Sequence, residues 1–128
     1  MLIVEPTVAA IDFDALAAHG VAFARYDAGE KIFLQEETGG RMFAVRSGRV
    51  QIITYGTVLE NIGPGGIFGE MALIDGAPRS AAAIAVEATE VAPIDRTSFL
   101  ALVRENPEFA LHVMSVLSAR IRKMNTSM

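Results

Sequence analysis

Phe68-Gly69-Glu70-Met71-Ala72-Leu73-Ile74-Asp75-Gly76-Ala77-Pro78-Arg79-Ser80-Ala81-Ala82-Ala83 is the stretch whose polar groups are too sparse and too oddly placed to serve packing alone. Between Glu70 and Arg79 lie an apolar run, Met71 to Ile74, and a breaker, Asp75-Gly76-Ala77-Pro78. The pattern predicts a short helix followed by a turn that delivers Arg79. Such geometry suits an anion. A helix N-terminus offers unpaired N–H groups and a partial positive charge, and an arginine brought beside it adds a planar fork of donors matched to phosphate. Glu70 would repel a phosphate touching it, so its place is on a hydroxyl a few ångströms away. A hydroxyl beside a phosphate describes a sugar phosphate.

Upstream of this stretch the apolar pattern has a period of two. Ile11 to His19 reads as a short helix with an acid in its first turn, ended by Gly20. Alternation then begins at Val21, Phe23 and Arg25, turns at Asp27-Ala28-Gly29-Glu30, resumes at Ile32-Phe33-Leu34 and turns again at Thr38-Gly39-Gly40. Met42 to Val45 and Val50 to Thr54 flank a hairpin signal, Ser47-Gly48. Tyr55-Gly56 is a tight turn before Val58 to Ile62, and Gly63-Pro64-Gly65-Gly66 breaks the sheet ahead of Ile67-Phe68. Ala81 to Val86 and Val91 to Ile94 supply the last strands around a charged turn at Glu87 and Glu90. About eight short strands punctuated by glycine predict an antiparallel β-roll or jelly roll.

After Arg96 the period becomes helical. Thr97 or Ser98 is expected to cap a helix running to Glu105, and Asn106-Pro107 a second one running to about Met124. The second carries Ala110, Met114, Leu117, Ile121 and Met124 in one stripe and Phe109, Val113 and Val116 in an adjacent row. Two arrangements satisfy this: one stripe on the roll and one toward a partner, or both in a single widened face.

The 128 residues make one domain, 1–128, with no room for a second effector module of ordinary size. A composition that is 52% hydrophobic and 20% charged is that of a folded chain. The net charge of −4 argues against a general nucleic-acid surface. With no cysteine, disulfides, iron–sulfur clusters and thiol redox sensing are excluded. Met1-Leu2-Ile3-Val4-Glu5-Pro6 lacks the basic flank of a secretory signal, and nowhere do eighteen apolar residues run together, so a cytoplasmic protein without a membrane segment is expected.

Phe68-Gly69-Glu70-Met71-Ala72-Leu73 followed by Pro78-Arg79-Ser80-Ala81 resembles the phosphate-binding cassette of cyclic nucleotide-binding domains, and the resemblance extends over residues 21–124. That family includes catabolite activator-type regulators, regulatory subunits of cyclic-AMP-dependent kinase and cyclic-nucleotide-gated channels. The resemblance implies that Glu70 holds the ribose 2′-hydroxyl and that Arg79 and Ser80 hold the cyclic phosphate. Gly69, Ala72 and Ala81 contribute through their backbones, and Phe68 and Met71 complete the ligand-binding set. The implied ligand is cyclic AMP or cyclic GMP, with cyclic AMP favoured. Base contacts are expected from the C-terminal helix, where Arg120, Arg122, Met124 and Asn125 are candidates. The absence of cysteine sets this chain apart from the family's oxygen-sensing branch.

Each residue also has a plainer reading. Glu70 alone would be a favourable charge at a helix end. Arg79 alone would be a surface arginine, yet it precedes an apolar strand in which an unpaired guanidinium is costly. Together with Gly69, Ala72 and the Pro78-Arg79-Ser80 order they point to a ligand. The glycines between 63 and 69 lack the lysine and the βαβ setting of a P-loop or dinucleotide fold. His19 and His112 read as solvated or capping residues, so no metal centre is expected, and no nucleophile–base pair marks a catalytic residue. The sequence therefore predicts a non-catalytic sensor that binds a cyclic purine mononucleotide, needs no cofactor, and moves its C-terminal helix on binding. A weak homodimer through that helix is the expected assembly. Alternatives are a protein-interaction module of the same fold without a nucleotide, and an enzyme using the barrel.

Overall fold

A computed structural model of the chain describes residues 11–126, so the expectation for Met1 to Pro6 lies outside the described residues. The elements run α1 (Phe13–Ala18), β1 (Ala24–Tyr26), β2 (Lys31–Phe33), β3 (Met42–Ser47), β4 (Val50–Thr54), β5 (Thr57–Ile62) and β6 (Ile67–Phe68). After these come α2 (Glu70–Asp75), β7 (Ala82–Ala85), β8 (Thr89–Ile94), α3 (Arg96–Glu105) and α4 (Glu108–Thr126). The strands form two antiparallel four-stranded sheets, ordered β1-β8-β3-β6 and β2-β7-β4-β5. This is the expected β-roll with helices at both ends.

Hairpin chemistry holds the register of the second sheet. Tyr55 and Gly56 both have positive φ, 48° and 77°, the shape of a two-residue turn whose twist matches that of paired strands, and Thr54 faces Thr57 across it. Two apolar clusters fill the roll. One gathers Leu16, Met42, Ala44, Ile67, Ile94, Leu102 and Val113 between the first sheet and the helices. The other lies between the sheets around Phe43, Val45, Val50, Phe68 and Val91, where Phe43 stacks on Phe68 at 5.1 Å between ring centroids.

Several boundaries differ from expectation. The N-cap of α3 is Asp95, whose side chain accepts the Ser98 N–H, rather than Thr97 or Ser98; an aspartate two positions earlier captures the free amides first. β8 begins at Thr89, so Glu90 belongs to a strand, where it accepts hydrogen bonds from Arg25 and Arg46 and is carried in the ladder rather than in a turn. The stripe on α4 divides. Phe109 and Val113 are buried and Val116 and Leu117 pack on the core, while Leu111, Met114, Ile121 and Met124 are exposed. His112 is not a solvated residue: both ring nitrogens are buried without a hydrogen-bond partner among the described residues. His19 caps α1 and pairs with Glu105 at 2.8 Å, tying α1 to the end of α3.

Candidate functional site

Arg79 reaches the site through its own backbone. The Arg79 N–H donates to the Glu37 carbonyl at 2.9 Å, and the Glu36 N–H donates to the Arg79 carbonyl at 2.8 Å, so the loop between β2 and β3 grips the residue on both sides. Its side chain turns inward and is 6% exposed. Nη1 donates to the Gly69 carbonyl at 2.9 Å and Nη2 to the Arg41 carbonyl at 2.7 Å, while the guanidinium carbon lies 4.2 Å from the centre of the Phe33 ring. Among the described residues Arg79 makes no ion pair. Burial lowers its pKa below the ordinary arginine value, opposed by the fields of Glu37 and Glu70. The side chain is a desolvated cation fixed by neutral groups, with donors left over.

Gly69 makes that placement possible. Its φ is 75°, and a Cβ there would lie 2.8 Å from Arg79 Nη1 and 3.3 Å from the Arg41 carbonyl oxygen, so a side chain would have to displace the guanidinium or strain the backbone.

Glu70 opens α2 and is 2% exposed. Its Oε1 accepts from Arg120 Nη1, and its Oε2 is buried with no hydrogen-bond partner among the described residues. A buried acceptor left open costs about 1–3 kcal/mol, which a donor arriving from a ligand recovers. Arg120, from the middle of α4, also donates Nη2 to Glu60 Oε2 at 2.8 Å and to the Ile67 carbonyl at 2.7 Å. Burial works against the Arg120 charge, but the hydrogen bonds and fields of Glu60 and Glu70 outweigh it, and its pKa lies above the ordinary arginine value.

These groups border one cavity of about 470 Å³, within the range of small-molecule sites. All eight residues nominated from sequence line it: Phe68, Gly69, Glu70, Met71, Ala72, Arg79, Ser80 and Ala81. Of the four candidates on the C-terminal helix, Arg120 and Met124 line it, whereas Arg122 and Asn125 do not. Sequence reasoning did not nominate the rest of the wall: Phe33 from β2, Ile52 from β4, Leu59 and Glu60 from β5, Asp75, Ala77 and Pro78 of the cassette segment, and Lys123 from α4. Alternation in β2 and β4 could have marked Phe33 and Ile52, but Leu59 and Glu60 are neighbours in β5, and alternation cannot place both on one face. Chemically, the wall offers a fixed cation, an open buried acceptor in the same cavity, further charged groups at Glu60, Asp75, Arg120 and Lys123, and apolar surface between them, closed on one side by α4. Among the described residues no three His, Cys, Asp or Glu side chains gather as a metal site, and no helix is long and apolar enough to cross a membrane.

Fold and cavity together define a β-roll with a pocket between its second sheet, the segment 68–81 and the C-terminal helix, and comparison with known proteins gives its family. Residues 23–106 match the model of the cyclic nucleotide-binding domain, and the chain belongs to that family. It is 38% identical over 103 residues to the cyclic AMP receptor protein of Thermus thermophilus, covering 77% of this chain and 48% of that one. It is 40% identical over 73 residues to the cAMP-dependent protein kinase regulatory subunit of Yarrowia lipolytica, covering 57% of this chain and 20% of that one. Among solved structures it superposes on the catabolite activator protein of Thermus thermophilus with a TM-score of 0.79 and 34% identity, over 90% of this chain and 56% of that chain. The chain therefore spans about half the length or less of these curated relatives.

Proposed function

We propose that the chain is a non-catalytic sensor domain, one unit over residues 1–128, that binds a cyclic purine mononucleotide, cyclic AMP in preference to cyclic GMP. The observation that carries this reading is a buried Arg79 cation without a carboxylate partner among the described residues, in the same cavity as a Glu70 oxygen without a donor among them. A cyclic phosphate supplies the anion that Arg79 lacks, with Ser80 beside it. A ribose 2′-hydroxyl supplies the donor that Glu70 Oε2 lacks. The purine then lies on the apolar wall beneath α4. Support for the adenine form is the cyclic AMP named in both relatives.

Signalling follows from Arg120. One guanidinium on α4 bridges Glu70 of the cassette and Glu60 of β5, so anything that rearranges Glu70 is felt by the cover helix. Ligand binding shifts the population of the docked helix by its differential affinity for that arrangement. A separate effector reads the shift. The exposed row Leu111, Met114 and Ile121 on α4 suits a weak homodimer, and the acidic chain suits a cytoplasmic setting away from nucleic acid.

Calorimetric titration with cyclic AMP and cyclic GMP is the direct test. Saturable binding with the nucleotide recovered intact is expected, and cyclic AMP binds the more tightly. Failure of both nucleotides to bind or to raise the melting temperature at millimolar concentration rejects the reading in favour of an interaction module. Turnover of the nucleotide rejects it in favour of an enzyme. Equal affinity removes only the base preference.

A further inference from the structure

Arg79 lines the cavity with no ionic partner among the described residues, and what lies against its guanidinium is an aromatic ring. The Arg79 guanidinium carbon sits 4.2 Å from the Phe33 centroid and 5.7 Å from that of Phe43. Phe33 is in turn braced by Phe43 and Phe68, at 5.8 and 5.9 Å between centroids. The strand is irregular at this point: the pairing of β2 with β7 shifts register between Lys31 and Phe33, the kind of break that re-aims a side chain. Two carbonyls, of Gly69 and Arg41, hold two of the guanidinium nitrogens, and the ring supports the guanidinium's carbon.

We infer that Phe33 is a positioning residue for the anion site: its ring face holds the Arg79 guanidinium in its binding orientation without neutralising it. The inference deepens the proposed function and rests on its assignment of Arg79 to the phosphate. The physical reason is one of competition. A carboxylate at this place would pair with Arg79 and have to be displaced by the incoming anion. A ring attracts the cation through its quadrupole and leaves the full charge for the ligand. An aliphatic residue of similar size would fill the space but leave the guanidinium free to leave its orientation.

The test compares Phe33→Leu, Phe33→Tyr and Val91→Ala with the wild type, using cyclic AMP titration, melting curves and NMR of the Arg79 side chain. Val91 is a buried member of the same apolar cluster that does not line the cavity, and serves as the control for destabilisation alone. Phe33→Leu is expected to weaken binding about two- to thirtyfold, the span of a partly to fully desolvated cation–ring contact. Phe33→Tyr is expected to stay within about twofold of the wild type, and Val91→Ala to lower the melting temperature without moving the affinity. In the free protein, the Arg79 side-chain resonances should be shifted upfield by the ring and lose that shift in Phe33→Leu. Wild-type affinity in Phe33→Leu, or an equal loss in Val91→Ala, overturns the inference. A wild type that binds no cyclic nucleotide overturns instead the functional reading beneath it.

Discussion

Arg120 on α4 donates to the carboxylate of Glu70, the first residue of α2, and the same guanidinium holds Glu60 on β5. Cassette, sheet edge and cover helix thus meet on one side chain. Replacing Arg120 with alanine leaves two neighbouring carboxylates without their cation beside an anionic ligand. Cyclic nucleotide affinity is expected to fall about tenfold or more, as for loss of hydrogen bonds to charged groups. Hydrogen exchange in α4 should speed up in the same variant, and truncation after Ala119 should match it in affinity. Unchanged affinity and unchanged α4 protection would falsify the linkage.

Arg79→Ala should weaken cyclic nucleotide binding by about 2–4 kcal/mol, roughly thirty- to a thousandfold, because a charge-assisted pair is lost from a desolvated phosphate. The fold should survive, since Gly69 borders the cavity and Arg41 is an exposed residue, so water can reach the carbonyls that Arg79 satisfies once the side chain is gone. Titration of the folded variant checks this. A change below about threefold removes Arg79 from the phosphate.

Glu70→Gln is expected to cost about 1–2 kcal/mol of binding, since the amide oxygen can still accept from a hydroxyl but without the charge, and Arg120 loses one of its two carboxylate partners. The ligand gives the sharper measurement. A 2′-deoxy cyclic nucleotide should bind the wild type more weakly than its parent, and the difference should be smaller in the variant, whose acceptor is neutral. Equal binding of the two nucleotides to the wild type assigns Glu70 another role.

His112 makes stability depend on pH. Burial holds its pKa below the ordinary 6.5, so as pH falls through that value the unfolded chain takes up a proton before the folded one does. The unfolded state then binds more protons, and stability decreases toward acid while nothing changes above neutrality. The melting temperature of the wild type should therefore drop between about pH 7.5 and pH 5.5, one unit either side of the ordinary value, more than that of His112→Leu. Parallel curves would mean that the imidazole titrates as it does in the unfolded chain.

Ile121 is 58% exposed, so Ile121→Asp should change monomer stability by less than about 0.5 kcal/mol. If copies of the chain associate through the exposed row of α4, the same substitution should abolish association in light scattering, with or without nucleotide. A wild type that stays monomeric at high concentration in both states removes the dimer.

Local chemistry is what made the strands, the turns and the cassette legible. Period-two alternation, glycine turns and the order Phe68-Gly69-Glu70 then Pro78-Arg79-Ser80 each reflect constraints within a few residues, and a resemblance carried by contiguous residues survives without knowledge of the fold. The cap of α3 was expected at Thr97 or Ser98 and lies at Asp95, because the approach of the chain from β8 decides which oxygen reaches the free amides.

By itself, the sequence determined that this chain is a glycine-punctuated roll with an anion cassette and two closing helices. Tertiary structure alone decided which distant side chains complete the site. Arg120 meets a glutamate fifty positions earlier, and Phe33 lies under an arginine from the far side of the cassette. It also turned Leu117 inward and left Ile121 in solvent, dividing a stripe that spacing alone had joined. The reason is that periodicity reports which face of an element is apolar, whereas pairing across elements depends on how those faces rotate and approach, and no local pattern encodes that.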